Sequence, residues 1–163
     1  MRIIGIDPGL SGAIAILENN KVLNIFDMPV MSEGKKNKRQ LNSALLVSLI
    51  KDNITSHEEV AVVVEQVNAM PGQGVTSMFN FGQTFGAIKG VCAALELPIF
   101  FVRPSKWKKH FELINSSKDS SRTKAIEMYP KLSTQLAKKK DVNKSDAILI
   151  ARFYSETRLT EEN

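Results

Sequence analysis

The sequence predicts an α/β domain in which helices cover both faces of a mixed five-stranded sheet, with three antiparallel strands followed by parallel ones. Three observations support this class: strand-like segments joined by tight turns at the N-terminus, alternating strand-like and helical segments after them, and the continuous β-branched run VAVVVEQV. Such a run is typical of a strand that is buried on both faces. Since 163 residues is the length of one domain, we expect residues 1–163 to form a single domain.

The N-terminal strands are delimited by turn residues. An isoleucine-rich run over Arg2 to Ile6 ends at Asp7-Pro8-Gly9, and the segment SGAIAIL follows as a second strand. A turn in ENNK then leads into a third strand, VLNIFDMPV, which makes an antiparallel hairpin. The next segment, MSEGKKNKR, is polar and contains glycine, which predicts a loop.

One helix is predicted before the β-branched run and one after it. The first lies in QLNSALLVSLIKDNI, whose apolar residues come near helical spacing at Leu41, Leu45, Leu49 and Ile50. The second begins near Thr76, after the loop NAMPGQG, and carries three glycines on one face, namely Gly82, Gly86 and Gly90. We expect these glycines to permit close packing, either against the sheet or against a partner helix.

The C-terminal part is predicted to contain a short strand, PIFFVRP, and three helices. The helices lie in SKWKKHF, in DSSRTKAIEMYP with Ser120 or Ser121 as N-cap, and in SDAILIARFYSETRL. We expect Trp107 to anchor its small helix rather than to stack on a base. The two histidines, His57 and His110, are interpreted as surface or structural residues.

Composition excludes several kinds of site. The single cysteine, Cys92, rules out a disulfide framework and a cysteine zinc site. No apolar stretch approaches the roughly 18–20 residues of a membrane span, and Met1 leads into a strand rather than into a signal peptide. We therefore expect a cytoplasmic protein in a reducing compartment, with no membrane partner.

Positive charge is concentrated in one part of the chain. The net charge is +5, but residues 103–140 contain eleven basic and three acidic side chains, a local charge of +8. Concentrated positive charge fits a polyanion partner such as nucleic acid. A solvated, lysine-rich surface has the same pattern.

Three carboxylates stand where an acid is unexpected. Asp7 ends the first strand, Glu65 lies within the β-branched run, and Asp146 precedes the apolar residues AILIA. Taken alone, Asp7 also fits a turn and Asp146 also fits a helix end, where the dipole favours an acid. Together, three carboxylates in apolar surroundings suit Mg²⁺ or Mn²⁺, and two such ions hydrolyse phosphodiesters. The three acids and the basic segment of residues 103–140 therefore indicate a nuclease.

Four blocks of the sequence resemble, in the same order, those of RuvC-type Holliday junction resolvases, particularly the short RuvC-like proteins of phages. The blocks are GIDPGLSGAIAIL, VVVEQVNAMPGQGVTSMFNFGQTFGAIKG, PIFFVRPSKWKKHF and KSDAILIARF. The resemblance implies an RNase H-like fold and a homodimer that cuts four-way junction DNA symmetrically. It also implies Mg²⁺ or Mn²⁺ as the cofactor, two ions per active site, and no nucleotide cofactor.

The resemblance assigns the site residues. Asp7, Glu65 and Asp146 match the family's catalytic, metal-binding acids, while its fourth metal-binding position falls at Asn143. Asp141 is the alternative fourth ligand.

The DNA-binding positions of the family correspond best to Lys108 and Arg122, with further candidates at Lys106, Lys109, Lys118, Lys124 and Asn68. Asn68 stands where some members place an aromatic wedge. The glycine-bearing helix corresponds to the family's dimer interface.

Three other functions fit parts of the sequence. Another RNase H-like nuclease, acting on RNA:DNA hybrids, RNA or branched DNA, would need the same acids. The sugar-kinase and actin superfamily shares an opening like GIDPGLSGA, but at about twice this length. A non-catalytic junction-binding protein is the third alternative, because the fourth metal-binding position departs from the family pattern.

Overall fold

The computed structural model describes residues 1–34, 38–55 and 58–161, with side chains as far as residue 158. His57 lies outside the described residues, as do Lys35 to Asn37 of the polar segment that was predicted to be a loop. The interpretation of His57 as a surface or structural residue therefore stays a prediction.

Three antiparallel strands begin the chain, as predicted. Strand β1 (Arg2–Asp7) pairs with β2 (Ala13–Glu18), and β2 pairs with β3 (Lys21–Asp27). The turn between β2 and β3 has positive φ angles at Asn19 (49°) and Asn20 (61°). Two successive positive φ angles are the geometry of a type I′ hairpin turn, which asparagine tolerates.

The segment predicted to be a loop contains a small second hairpin. Strand β4 (Val30–Glu33) pairs antiparallel with β5 (Lys38–Leu41), with Val30 opposite Leu41. Five of its eight side chains are exposed, two are partly buried, and only Leu41 is buried. The loop prediction was wrong because hydrophobic alternation reveals a strand only where one face is buried, and backbone pairing does not depend on that burial.

Two parallel strands complete the main sheet. Strand β6 (Val60–Glu65) lies beside β1, and β7 (Ile99–Val102) lies beside β6, which gives the order β3-β2-β1-β6-β7. Every residue from Val60 to Val64 is buried. The prediction of a strand covered on both faces is thus confirmed.

The helices divide between the two faces of the sheet. One hydrophobic core packs α1 (Ser43–Asp52) and α2 (Val75–Ala94) against one face. The other core packs α3 (Pro104–His110), α4 (Ser120–Met128) and α5 (Val142–Glu161) against the opposite face. The predicted class, a mixed five-stranded sheet with helices on both faces, is confirmed.

The apolar face of α1 differs from the predicted one. The helix buries Leu46 and Ile50, whereas Leu45 is 50% exposed and Leu41 belongs to β5. The start of the helix explains the shift, because the side chain of Asn42 caps it by accepting a hydrogen bond from the Leu45 backbone N–H at 3.0 Å.

The three glycines of α2 do not face the sheet. The helix packs on the sheet through Ile88, Val91 and Cys92. A Cβ atom added at Gly82, Gly86 or Gly90 would meet no described atom within 4 Å. Of the two roles predicted for these glycines, packing against the sheet is wrong.

Two helix starts also differ from the sequence prediction. The N-cap of α4 is Asp119, rather than Ser120 or Ser121, and α5 begins at Val142, before Ser145. A 3₁₀ turn at Lys139–Asp141 leads directly into α5. Asp146 therefore lies in the second turn of α5 and does not open the helix.

Two further side chains that the sequence analysis named are Cys92 and His110. Cys92 is a free, buried thiol. His110 lies 2.6 Å from a carboxylate oxygen of Glu156, and its ring contacts Phe111 and Phe153 edge-on, which is a structural role. In the part of the chain that the structure describes, no helix is both long and apolar enough to cross a membrane.

Candidate active site

Asp7 and Glu65 come together through the strand register. They are the last residues of β1 and β6, which pair in parallel with Ile6 opposite Val64. Continuing that register by one residue sets Asp7 beside Glu65, on strands about 4.8 Å apart. Because parallel strands end at the same edge of a sheet, two carboxylates far apart in sequence become neighbours.

Asp146 reaches the same edge because α5 lies very close to β1. A Cβ atom added at Gly5 would be 2.2 Å from the Ala147 carbonyl oxygen and 2.7 Å from Cβ of Ala151. Only glycine permits this approach, since any side chain at position 5 would push the helix away. The residue before Ala147 is Asp146, so the close crossing brings the third acid to the end of β1.

The loop after β1 is held close to Asp7 by a second glycine. A Cβ atom at Gly12 would lie 1.9 Å from the Asp7 carbonyl oxygen. The Gly12 backbone N–H donates to the Gly9 carbonyl at 3.1 Å, and Gly9 has a φ of 133° that other residues rarely adopt. The turn therefore folds back tightly beside the first acid.

The three carboxylates interact electrostatically. Burial, followed by the charges of Asp146 and Glu65, raises the pKa of Asp7 to about 8. Burial also raises the pKa of Asp146 to about 6, against a hydrogen bond from Ser121. The pKa of Glu65 is raised by burial as well. Lys108 acts in the opposite direction at all three groups, because its ammonium charge favours the ionised carboxylates.

One carboxylate oxygen of this cluster has a hydrogen-bond donor, and another buried one has none. The indole Nε1–H of Trp107 donates to Oε2 of Glu65 at 2.7 Å. By contrast, Oδ1 of Asp146 is buried and has no hydrogen-bond partner among the described residues. A buried oxygen without a donor is costly unless a cation or water accompanies it.

The donor set fits a hard divalent cation. Carboxylate oxygens are the ligands that Mg²⁺ and Mn²⁺ prefer, and the unsatisfied Oδ1 of Asp146 supplies one of them. Among the described residues, no three His, Cys, Asp or Glu side chains stand close enough together to form a complete metal site. Mutual repulsion of the carboxylates opposes close approach, so these side chains would have to move inward to bind a cation.

Asn143 and Asp141, the two candidates for a fourth ligand, lie in different surroundings. Asn143 lines the cleft beside Asp7 and donates from Nδ2 to the Ser11 carbonyl at 2.6 Å. Asp141 is 5% exposed and accepts from the Lys138 backbone N–H at 2.8 Å. The Asp141 carboxylate is thus committed to the turn before α5, whereas the Asn143 side chain borders the acids.

Lys108 and Lys118 are the predicted DNA-binding residues that lie nearest the acids. Both line a cleft with Asp146. The flanking residues Lys106 and Lys109 on α3 are exposed, as is Asn68 in the loop after β6. This arrangement sets positive charge beside the carboxylates.

Arg122 and Lys124 are engaged within the protein. Nε and one terminal nitrogen of Arg122 each lie 2.8 Å from an Asp119 carboxylate oxygen, and the other terminal nitrogen donates to the Leu136 carbonyl at 3.0 Å. Lys124 lies 3.6 Å from Glu127. The guanidinium of Arg122 thereby ties α4 to the segment before α5.

Sequence reasoning missed one residue that builds this site, Gly5, and one contact within it, between Trp107 and Glu65. Gly5 decides how close α5 can come, and its signal was a glycine inside a strand, which marks a close backbone approach. The expectation that Trp107 anchors its helix is confirmed, because its side chain is fully buried. Its bond to Glu65 had no sequence signal, because the two residues lie 42 positions apart.

Comparison with known proteins agrees with the predicted family and fold. The family model described as crossover junction endodeoxyribonuclease RuvC matches residues 3–153. A protein of that name from Nitratidesulfovibrio vulgaris is 31% identical over 112 residues, which cover 67% of this chain and 65% of the relative.

Two solved structures share the fold. Thermus thermophilus RuvC in complex with a Holliday junction substrate has a TM-score of 0.59 at 17% identity, over 96% of both chains. A second structure of Thermus thermophilus RuvC has a TM-score of 0.55 at 18% identity, over 97% of both chains. At these identities the likeness establishes the fold, which is RNase H-like. Because the family model spans nearly the whole sequence, the chain belongs to the RuvC family of crossover junction endodeoxyribonucleases.

Proposed function

We propose that the chain is a structure-selective endonuclease that resolves four-way DNA junctions by metal-dependent hydrolysis of phosphodiester bonds. The observation that carries the proposal is the meeting of Asp7, Glu65 and Asp146 at one edge of the sheet. Family membership and the Holliday junction bound by Thermus thermophilus RuvC support the choice of substrate. Junction resolution acts on cellular or phage DNA, so we assign the protein to the bacterial cytoplasm.

The carboxylates of Asp7, Glu65 and Asp146 would hold the metal, with Asn143 as the fourth ligand. Mg²⁺ is the proposed ion, Mn²⁺ its substitute, and two ions per site are proposed. When bound, such ions activate water and stabilise the leaving oxygen. Asp141 receives no ligand role in this proposal, because its carboxylate caps the turn before α5.

The basic residues bind the DNA backbone in this proposal. Lys108 and Lys118 border the cleft that contains Asp146, where a phosphate must lie for cleavage. The exposed lysines Lys106 and Lys109 extend the same positive surface along α3. Arg122 and Lys124 contribute mainly to structure, because their charges are already paired.

We further propose a homodimer formed through the glycine face of α2. This face also exposes Val75 (82% exposed) and Phe79 (68% exposed), which follow the same helical spacing as Gly82, Gly86 and Gly90. An exposed apolar stripe of this kind is typical of a protein interface. Two active sites related by a two-fold axis would cut two strands of a junction symmetrically.

Cleavage of matched substrates tests the proposal. With Mg²⁺, we expect paired nicks in a mobile four-way junction, and no comparable cleavage of a duplex or an RNA:DNA hybrid of the same sequence. Equal cleavage of the plain duplex would contradict the resolvase function, and preference for the hybrid would favour another RNase H-like nuclease.

The variant Asp146→Asn tests the active site. We expect it to lower the cleavage rate by about 1,000-fold while junction binding is retained, because the loss of a negative charge reduces repulsion of phosphates. Asp52→Asn is the matched control, since Asp52 is an exposed acid at the end of α1. Persistent metal-dependent cleavage in Asp146→Asn would refute the site, and junction binding without any cleavage by the parent protein would identify a non-catalytic binding protein.

A further inference from the structure

We infer that Trp107 is a positioning residue for Glu65, and that its indole N–H fixes one oxygen of this carboxylate for the reaction. The Nε1–H donates to Oε2 of Glu65 at 2.7 Å. This inference rests on the proposed function, because it gives Trp107 a role in presenting a metal ligand. Trp107 is fully buried, so we assign it no contact with DNA or with the reacting atoms.

The fold holds the indole in one place. Glu65 pairs with Val102 at the end of β7, and α3 begins two residues later at Pro104. This short connection carries Trp107 back over the sheet edge. The side chain is 0% exposed and belongs to the core between the sheet and helices α3, α4 and α5, so close packing prevents the ring from turning away.

The hydrogen bond fixes the orientation of the Glu65 carboxylate. An indole N–H is a donor with no acceptor capacity, so at 2.7 Å it donates to Oε2 of Glu65 and does nothing else. Fixing Oε2 limits rotation of the carboxylate and leaves Oε1 for the cation.

Trp107 also contacts the basic side of the site. The ammonium of Lys108 lies 5.4 Å from the centroid of the indole ring, within the range of a cation–π contact. A phenyl ring at position 107 would retain a face for Lys108 but would have no N–H for Glu65. The variant Trp107→Phe therefore isolates the hydrogen bond.

A matched pair of variants separates positioning from packing. Phe111→Leu is the control, because Phe111 is buried in the same core and has no polar group to reach Glu65. Both substitutions remove buried ring atoms, so we expect both to lower Tm. Mn²⁺ affinity, measured by electron paramagnetic resonance without DNA, is expected to fall about 10- to 100-fold in Trp107→Phe and less than about twofold in Phe111→Leu.

Kinetics give a second readout for the same pair. At fixed Mn²⁺ we expect kcat for junction cleavage to fall in Trp107→Phe by a similar factor, while KM for the junction and binding without metal stay unchanged. Equal Mn²⁺ affinity in the parent and in Trp107→Phe would overturn the inference. So would an equal loss of affinity in Phe111→Leu, because that result would indicate general loosening of the core.

The emission of Trp107 provides a test that needs no substitution at position 107. It is the single tryptophan of the sequence, so its fluorescence reports on this position alone. We expect Mn²⁺ to quench the emission in the parent protein and to quench it far less in Glu65→Gln at the same concentration. Emission that does not change when Mn²⁺ saturates the protein would overturn the inference.

Measurements on the parent protein distinguish failure of the proposed function from failure of the positioning role alone. A parent that neither binds Mn²⁺ nor cleaves junctions would refute the proposed function. A parent that does both, while Trp107→Phe behaves like Phe111→Leu, would refute only the positioning role.

Discussion

Helices α2 and α5 each have 20 residues and pack on opposite faces of the same sheet, but they use glycine in opposite ways. Under α5, Gly5 removes a side chain from the sheet, and Ala147 and Ala151 of the helix fill the space. On α2, Gly86 and its neighbours in the stripe face no described atom. The glycine of β1 is covered by a helix of the same chain, whereas the glycine face of α2 is available to a partner.

In the proposed function, this difference separates the contact that builds the active site from the surface that forms the dimer. The α5 contact brings Asp146 to the acids of β1 and β6, so it must form before the site exists. The α2 face contributes no acid and exposes Val75 and Phe79. We therefore expect substitutions at the first contact to affect folding, and substitutions at the second to affect dimerisation.

The largest effect is expected from Gly5→Ala. A single methyl group there would overlap the Ala147 carbonyl oxygen at 2.2 Å, and backbone on both sides cannot easily yield. We expect a loss of about 4 kcal/mol or more in the free energy of unfolding, which corresponds to a decrease in Tm of roughly 8–16 °C. Circular dichroism during heating measures the decrease in Tm.

Gly86→Ala is the same chemical change in α2 and serves as the control. Its methyl group would meet no described atom within 4 Å, and alanine favours a helix over glycine by about 1 kcal/mol. We expect Tm to stay constant or to rise when measured at low protein concentration. Equal destabilisation by both variants would remove the distinction between the two contacts.

An intermediate effect is expected from Gly86→Glu. Two-fold symmetry would bring glutamates of both copies into one apolar interface, where burial of charge is unfavourable. We expect the dimer dissociation constant to increase about 100-fold, or about 2.8 kcal/mol, with symmetric cleavage lost and the fold retained. Sedimentation measures the dimer, and Lys51→Glu on α1 supplies a charge change outside the stripe.

The smallest effect concerns the stability of the metal-free protein. Since the pKa of Asp7 is raised from 3.8 to about 8 in the folded state, the folded protein binds this proton more tightly than the unfolded chain does. Stability from Asp7 is therefore greatest below pH 3.8 and is lost as the pH rises to about 8. The raised pKa of Asp146 has the same effect on stability, and its contribution is lost as the pH rises to about 6.

Asp7→Asn removes one of these charges. We expect the metal-free variant to be more stable than the parent at pH 8 by about 1–3 kcal/mol, which is roughly 2–12 °C in Tm. The gain should decrease toward pH 5. Mg²⁺ should raise the Tm of the parent, because it binds the folded state, and should raise that of Asp7→Asn less. A variant that is no more stable than the parent at pH 8 would show that the ionised Asp7 carboxylate does not destabilise the folded protein.

Much of the fold was predictable because its signals are local. The β-branched run of β6 reports burial on both faces, and the asparagines of ENNK permit the turn between β2 and β3. The hairpin of β4 and β5 was missed because it buries almost nothing, and the buried face of α1 was shifted because the cap at Asn42 sets where that helix starts. A sequence pattern reveals a helix or strand only to the extent that this helix or strand buries side chains.

The candidate site divides in the same way. Acids in apolar surroundings stood out at Asp7, Glu65 and Asp146, because charge without a local partner can be read from the sequence. The hydrogen-bond partners of Asp141 and Arg122 could not be read, since they are supplied by the groups that folding places beside them.

By itself, the sequence determined the order of the helices and of the strands of the main sheet, and it singled out the three acids on which the proposed chemistry depends. The tertiary structure alone decided which glycine admits a helix, which one stays open, and that Trp107 donates to Glu65. The physical reason is that composition and spacing record what a residue can do, whereas its partner is supplied by chain far away in sequence. For Gly5 and Gly86, identical residues received opposite roles from the atoms that folding placed, or did not place, in front of them.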